Sequence, residues 1–304
     1  MYLIRELRRK SDESVWLMGI CENGYDDLKS GCIHWINNGV YEGKKWFADP
    51  FIIKFTKKKI YLLVEEFDYK IHRGRIARLI VDRTNWTVCD CKIILDLDTH
   101  LSFPMIWREN NHIYICPENC KSGAWHIYEY DEEEEKMTYI QPLIKEKLTD
   151  AILYKNKKGY YILSTYEPTP NGRCLSIYHS DTLLGKYKQT DTIVFGENVA
   201  RNAGIMFTYN GDLIRPAQEC THTYGHAISF QRVIENDNKW TFEEIYKFFS
   251  PHPQYYLGTH TYNEYQGMAV IDVKRKKNPL FGRFFDSLQN LAIKAHLKKR
   301  YVLK

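Results

Sequence analysis

The 304-residue chain contains no apolar run near the roughly 18 residues that a membrane-spanning helix needs. Its first residues, Met1 to Arg5, lack the apolar stretch and small-residue cleavage site of a signal peptide. The eight cysteines lack the paired Cys-x-x-Cys spacing of a structural zinc site, and the closest spacings are Cys89–Cys91 and Cys116–Cys120. These absences predict a cytoplasmic protein with free thiols, no metal site and no cofactor.

A short apolar motif recurs five times along the chain. Its copies start at Asp49, Phe103, Asp150, Ala203 and, in a weaker form, His260. A polar turn and a second apolar run follow each of the first four copies. The starts lie about 47 to 57 residues apart, a period typical of solenoids, propellers and arrays. Units of this size cannot bury their own apolar faces, so they must pack against one another.

The segments between the motifs predict β-strands. Residues 74–81, 125–130 and 175–180 alternate between apolar and polar side chains, as strands with one buried face do. An aromatic fraction of 14% suits such strands. Four short strands in each of five units predict an all-β fold, a five-bladed β-propeller over residues 1–273. The early apolar run 15–20 is expected to complete the last blade and close the ring.

The pattern changes after residue 273. From Lys274 onward there are ten Lys/Arg and one acidic residue, and the apolar residues of 279–301 recur at helical spacing. Residues 274–304 are therefore predicted to form a basic amphipathic C-terminal helix. Two alternatives stay open: the helix packs on the propeller, or residues 279–301 make a peripheral contact with the anionic inner leaflet of a membrane. Nucleic acid is not predicted as a partner, because no recognition motif accompanies the basic residues.

The first strand of each propeller blade lines the central channel, so polar residues at the repeat starts should converge on one axial pocket. The candidates are Asp49, His100 or Ser102, Asp150, Arg201 with Asn202, and His260. A buried aspartate is costly unless it is paired or solvated. Two such acids at equivalent starts therefore indicate a functional site.

These motifs carry a family resemblance. The segment Phe47-Ala48-Asp49-Pro50-Phe51 resembles the Ala-Asp-Pro opening of family 43 glycoside hydrolases, five-bladed propellers in which this aspartate is the general base. Asp150 resembles their third-blade aspartate, which tunes the acid and orients the sugar. Nearly the whole chain is similar to the N-terminal propeller of plant glucosamine inositolphosphorylceramide transferases and to proteins of bacterial polysaccharide loci. The similar stretches are 46–51, 100–104, 116–118, 200–204, 215–218, 224–225 and 260–263.

One departure separates the chain from the hydrolases, which place a general-acid glutamate at the start of the fourth blade. Arg201 stands there instead. A guanidinium cannot donate a proton at neutral pH, but it can hold an anionic leaving group. We therefore expect glycosyl transfer from a nucleotide- or lipid-diphosphate sugar in bacterial surface polysaccharide synthesis, with Asp49, Asp150 and Arg201 as catalytic residues.

The resemblance also implies residues that bind the sugar or the leaving group. These are Trp46, His100, Glu118, Asn202, Arg215, Gln218, Tyr224, His260 and Asn263. Two other functions stay open. Family 43-like hydrolysis would need an acid from Asp150, Glu118 or Glu219. A non-catalytic glycan-binding propeller is the other, since the plant relatives' activity is assigned to a separate domain.

Overall fold

The computed structural model of the protein describes residues 14–236 and 239–277, which form five four-stranded antiparallel sheets. Blade 1 contains β3 (Lys45–Phe55), β4 (Lys59–Asp68), β5 (Arg73–Asp82) and β6 (Thr87–Leu95). Blade 2 contains β7 (Ser102–Glu109), β8 (His112–Glu118), β9 (Trp125–Asp131) and β10 (Lys136–Ile144). Blade 3 contains β11 (Leu148–Asn156), β12 (Gly159–Tyr166), β13 (Cys174–Ser180) and β14 (Lys188–Val194).

Blade 4 contains β15 (Phe207–Tyr209), β16 (Asp212–Glu219), β17 (Ala227–Asn236) and β18 (Lys239–Phe248). Blade 5 combines both ends of the described chain, in the order β19 (Tyr262–Tyr265), β20 (Met268–Lys276), β1 (Ser14–Cys21) and β2 (His34–Trp35). A short helix, α1 (Gly24–Ser30), joins β1 to β2. The predicted five-bladed β-propeller is confirmed.

Pairing between β1 and β20 closes the ring. Their register runs without interruption from Ser14 opposite Lys276 to Cys21 opposite Ala269. The apolar run 15–20 thus completes the last blade, as predicted. The predicted domain boundary after residue 273 falls inside β20, and the predicted helix over 279–301 lies outside the described residues.

The two ends of the propeller differ in their connections. At one end, which we call the hairpin end, the first two strands of a blade are joined by tight turns such as Asn110-Asn111, Asn210-Gly211 and Gln266-Gly267. These residues have positive φ angles, which two-residue hairpins require. At the other end, which we call the mouth end, the inner strands begin, and loops such as 195–206 and 249–261 are longer.

The repeated motif is a β-bulge at the mouth end of the inner strand. Asp49, Phe103 and Asp150 have φ angles of 50°, 41° and 43°, and the register of each inner strand skips at these positions. A bulge removes a residue from the ladder and re-aims it. The N–H groups of these residues are thereby free to donate to carboxylates near the axis.

The fourth repeat departs from this pattern. Its inner strand, predicted from Ala203, starts only at Phe207. Gly204 packs so closely on blade 5 that an added Cβ would lie 1.8 Å from the Tyr262 carbonyl oxygen. The close approach of two backbones therefore replaces the beginning of a strand here.

Apolar side chains fill the spaces between the sheets, with Trp125, Phe103, Phe51, Phe230 and Tyr262 among the largest that are fully buried. Residues 131–135, the acidic run, connect β9 to β10, as expected of a solvated loop. Among residues 14–236 and 239–277, no helix has the length and apolarity needed to cross a bilayer.

Candidate functional site

A buried polar cluster occupies the axis at the mouth end. The repeat starts bring Asp49, Asp150, Arg201 and His260 to it, as the sequence predicted. The mouth ends of the second strands add four residues, Glu65, Glu118, Gln218 and Asp272, each of which is buried. The cluster divides into two halves, one around Asp49 and one around Asp150.

In the first half, Asp49 lies against a histidine that is held between two carboxylates. His260 Nε2 is 3.3 Å from Asp49 Oδ1, and its Nδ1 is 2.7 Å from Asp272 Oδ1. The Thr261 hydroxyl donates to Asp49 Oδ1 at 2.8 Å, and the Phe103 N–H donates to Oδ2 at 3.0 Å. The Trp16 ring stacks on His260 with centroids 3.8 Å apart. Asp49 is thus fixed in position on both of its oxygens.

These surroundings raise the pKa values of both Asp49 and His260, but for different reasons. Burial, reinforced by Asp150 and Asp272, raises the pKa of Asp49 to about 6 although His260 opposes the shift. Burial lowers the pKa of His260, but Asp272 and Asp49 outweigh it, so the pKa is raised overall. A carboxylate with a raised affinity for a proton therefore lies beside a histidine whose protonated form is favoured by two neighbouring carboxylates.

In the second half, Asp150 is bound by a cation. Arg201 Nε donates to Asp150 Oδ2 at 2.6 Å, and the Gln218 amide donates to the same oxygen. Burial alone would raise the pKa of Asp150, but Arg201 outweighs burial and lowers it. The carboxylate stays ionised, and the neighbouring charge keeps the pKa of Arg201 well above its usual value although burial opposes this.

Arg201 retains donors that can reach a ligand. Its NH1 donates to Asn171 Oδ1 at 2.9 Å. Its NH2 lies 3.6 Å from Glu118 Oε2. That separation is too long for a hydrogen bond. The guanidinium faces the Tyr224 ring at 5.0 Å, and Tyr224 is 37% exposed. Tyr224 therefore lies between Arg201 and solvent.

Two glutamates in the cluster carry raised pKa values. Glu118 accepts the Asp150 N–H at 2.9 Å, and burial together with Asp150 raises its pKa well above the ordinary value. Burial raises the pKa of Glu65 in the same direction, with Asp49 and Glu118 adding to the effect. Burial therefore favours the protonated form of both side chains more than in a free glutamate.

His100 contacts Glu65 rather than Asp49. Its Nδ1 accepts the Gly74 N–H at 3.0 Å, so its proton sits on Nε2, which is 3.2 Å from Glu65 Oε1. Burial lowers the pKa of His100 to about 4, and the ring is neutral. Ser102, the alternative candidate from this repeat, is buried at the start of β7.

Asn202 and Asn263 join neighbouring blades. Asn202 Nδ2 donates to the carbonyl oxygens of Asp150 and Leu163, each at 2.8 Å, while Asn263 Nδ2 donates to the Pro50 carbonyl at 3.0 Å. Both amides thus hold the backbone that carries Asp49 or Asp150. They position the site rather than offering free groups to a sugar.

Arg215 lies away from the axis. It is completely buried, and its guanidinium donates to Asn202 Oδ1 and Gln231 Oε1 at 2.9 and 2.7 Å. The rings of Phe195 and Phe242 flank it. Burial lowers its pKa to about 9. This guanidinium braces blade 4, and the geometry does not favour its predicted contact with a leaving group.

Trp46 lies at the mouth end of blade 1, where its ring stacks on Phe67 with centroids 4.7 Å apart. It precedes Asp49 by three residues on β3.

Asp49, His260 and Asp272 each place one ligand atom within 4.8 Å of the others, a spacing that could hold a cation. Both His260 nitrogens face carboxylates, which favours the doubly protonated ring, and an imidazolium has no lone pair for a metal. The residues therefore fit an internal cation, His260 itself, better than a bound metal ion.

Sequence reasoning missed Glu65, Asp272 and Trp16. The first two end the same kind of apolar second strand that leads to Glu118, as in Leu62-Leu63-Val64-Glu65 and Val270-Ile271-Asp272. Aligning second strands as well as inner strands would have found them. Trp16 comes from β1, whose place beside His260 depends on ring closure.

Comparison with solved structures agrees with this architecture, a five-bladed propeller. Xylan β-1,4-xylosidase from Bacillus halodurans C-125 superposes with a TM-score of 0.51 at 12% identity, over 70% of this chain and 48% of that one. A Bacteroides ovatus family 43 protein of a xyloglucan locus gives 0.52 at 11% identity, over 77% and 51%. At these identities the likeness establishes the fold.

The sequence comparisons are more specific. The family model described as glucosamine inositolphosphorylceramide transferase 1, N-terminal, matches residues 32–276, and the chain therefore belongs to this family. Glucosamine inositolphosphorylceramide transferase 1 of Arabidopsis thaliana is 28% identical over 224 residues, covering 70% of this chain, and that of Oryza sativa subsp. japonica is 28% identical over 207 residues, covering 65%. The chain spans only 28% and 27% of these relatives' lengths. The resemblance seen in the sequence is confirmed.

Proposed function

We propose that the axial cluster catalyses glycosyl transfer to an acceptor hydroxyl, with Asp49 as the general base. The observation that carries this proposal is the geometry of Asp49, whose oxygens are oriented by Thr261 and Phe103 beside the His260 ring. A base with a pKa near 6 is mostly ionised at neutral pH and still accepts a proton effectively. The acceptor O–H gives its proton to Asp49 while its oxygen attacks the anomeric carbon.

Arg201 supports a diphosphate leaving group in this scheme. Its NH2 donors have no hydrogen-bond acceptor among the described residues and lie beneath Tyr224 at the mouth. An oxyanion bound there needs no protonation as the glycosidic bond breaks, because the guanidinium stabilises its charge. Asp150, held by Arg201 and Gln218, would orient the sugar.

The plant relatives are named as transferases, and this chain matches the N-terminal part of their family. The choice of a nucleotide- or lipid-diphosphate sugar as the donor rests on the position of Arg201. A role in bacterial surface polysaccharide synthesis and a cytoplasmic location remain predictions from the sequence.

The decisive experiment replaces the base. A panel of nucleotide-diphosphate sugars is first screened for binding by thermal shift, and release of nucleoside diphosphate is then measured with acceptor present. We expect Asp49→Asn to lower turnover by roughly 10²–10⁴-fold, the range typical of a lost general base, without weakening donor binding. Asp82→Asn, at the hairpin end of β5, is the matched control and should retain full activity. Undiminished turnover by Asp49→Asn would remove the base assignment.

Glycoside hydrolysis is a second candidate because the structure supplies acids that the fourth repeat lacks. Glu118 and Glu65 are buried carboxyl groups with raised pKa values in the same cluster as Asp49. Common glycosidases pair one such acid with one base. If aryl glycosides are cleaved, Glu118→Gln and Glu65→Gln should identify the general acid. Loss of the acid slows the hydrolysis of substrates with poor leaving groups more than that of substrates with good ones. A glycan that binds without any turnover would instead support a non-catalytic binding propeller.

A further inference from the structure

The exposed apolar side chains are unevenly distributed between the two ends. Eleven large hydrophobic side chains are exposed among residues 14–236 and 239–277. Six of them lie at the mouth end, and we call these the mouth patch: Ile71, Tyr166, Val194, Tyr224, Phe249 and Tyr256. Each is the last residue of a strand or lies in a loop at the end of the propeller that holds the axial cluster. Concentrated exposed apolar surface of this kind marks an interaction site.

Both ends of the propeller carry charges of both signs. The mouth-end loops and strand ends carry Lys121, Lys145, Lys147, Arg173 and Lys277, interspersed with Asp96, Asp98, Glu146, Glu167 and Glu197. The hairpin end carries the acidic run 131–135 together with Lys57, Lys58, Lys157 and Lys158. The described part of the mouth end therefore offers scattered basic side chains to an anionic partner.

The chain also leaves the propeller at the mouth end, because Lys276, the last residue of β20, pairs with Ser14 there. The sequence that follows, residues 278–304, contains six Lys/Arg and one Asp, interspersed with Leu and Phe. The chain therefore enters this basic and apolar sequence from the mouth end.

We propose that the mouth end lies against an anionic lipid surface, with the mouth patch in the headgroup region and the basic residues paired with lipid phosphates. Tyrosine and phenylalanine rings beside Lys and Arg are the composition that such interfaces favour. Each basic residue near an anionic leaflet adds about 1 kcal/mol. The orientation goes beyond the proposed function: it would open the axial cluster toward the headgroups, so a lipid-linked sugar could reach Asp49 without leaving the surface.

Native cysteines report the orientation directly. Cys174, at the start of β13, is exposed at the mouth end, and Cys32, just before β2, is exposed near the hairpin end. The full chain is mixed with vesicles of phosphatidylcholine, with or without phosphatidylglycerol, and labelled with a maleimide whose sites are read by peptide mass spectrometry. Anionic vesicles should slow labelling of Cys174 at least about five-fold and leave Cys32 unchanged, as burial of one face requires. Absent vesicle binding, or equal protection of the two thiols, would overturn the proposal.

A pair of double variants separates the mouth patch from the basic tail. Phe249→Ser with Tyr256→Ser removes two rings that are 51% and 53% exposed at the mouth, while Tyr139→Ser with Ile234→Ser removes comparable exposed groups, 52% and 39%, from outer strands. The mouth variant should bind anionic vesicles roughly ten-fold more weakly, and the control should match the unmodified chain. Unchanged binding of the mouth variant would show that the tail alone holds the membrane, and the proposed orientation would fail.

Discussion

Asp49 and Asp150 occupy the same position in two repeats, and both lie on a β-bulge with a positive φ angle. Their surroundings nonetheless give them opposite properties. Asp49 lies beside a histidine that it shares with Asp272, and its pKa is raised to about 6 by burial. Asp150 is bound by Arg201 and keeps a lowered pKa. The repeat thus supplies the location of a carboxylate, whereas non-local partners decide whether it accepts protons or stays charged.

The largest effect on stability is expected from removing the Arg201 guanidinium, which separates the behaviour of Asp150 from that of Asp49. Arg201→Met would leave Asp150 buried and unpaired, and breaking a buried ion pair on one side costs about 3–5 kcal/mol. The free energy of unfolding, from denaturant titration at pH 7.5, should fall by that amount. The difference in free energy of unfolding between Arg201→Met and the unmodified protein should decrease as pH is lowered, because the unpaired Asp150 can then take up a proton.

Arg232→Met is the matched control for this loss. Arg232 pairs with Asp212 on an exposed strand end, where ion pairs contribute at most about 1 kcal/mol. If Arg201→Met were no more harmful than Arg232→Met, Asp150 would not depend on its guanidinium.

The other half of the contrast should appear in the pH dependence of stability. Because folding raises the pKa of Asp49 from 3.8 to about 6, the folded protein keeps a proton that the unfolded chain has lost between these values. This carboxyl therefore lowers stability as pH rises through that window, by up to about 3 kcal/mol. Asp150 has the opposite sign, since its contribution is lost only when pH falls below its ordinary range.

Asp49→Asn removes this titration. Relative to that of the unmodified protein, its free energy of unfolding should increase progressively between pH 4 and 6, meaning greater relative stability, and then level off. Asp82→Asn is the control, since Thr84 lowers the pKa of Asp82 and its titration falls below this window. Parallel stability curves for Asp49→Asn and the unmodified protein would show that Asp49 ionises normally.

The same contrast explains what the sequence could predict. Recurring apolar strand motifs are local signals, and they predicted the number of blades and the closure of the ring. They also predicted that four polar side chains converge on the axis: Asp49, Asp150, Arg201 and His260. Arg215 shows where that reasoning ends. It was assigned to the pocket with Gln218, but residues three apart on a strand point to opposite faces, and Arg215 lies opposite Gln231 within its own sheet.

The raised pKa values could not be predicted, because they depend on burial by other blades. Asp49 is enclosed by Thr261 and Asp272 of blade 5, more than 200 residues away along the chain. Nothing near Asp49 in the sequence distinguishes its environment from that of Asp150. Only closure of the ring brings these groups together.

The smallest effect is expected from removing one hydrogen bond in the half of the axial cluster around Asp49. Thr261→Val removes the hydroxyl that donates to Asp49 Oδ1, with a cost of about 1 kcal/mol in stability. That hydroxyl lowers the pKa of Asp49, so its loss should shift the acidic limb of the pH–activity profile upward by less than about one unit.

Thr259→Val is a closely matched control: Thr259 is also fully buried, and its hydroxyl has no partner among the residues that the structure describes. It should leave the profile unchanged and should not lower stability, because it removes an unsatisfied polar group. Equal shifts from the two variants would mean that the Thr261 hydroxyl does not tune Asp49.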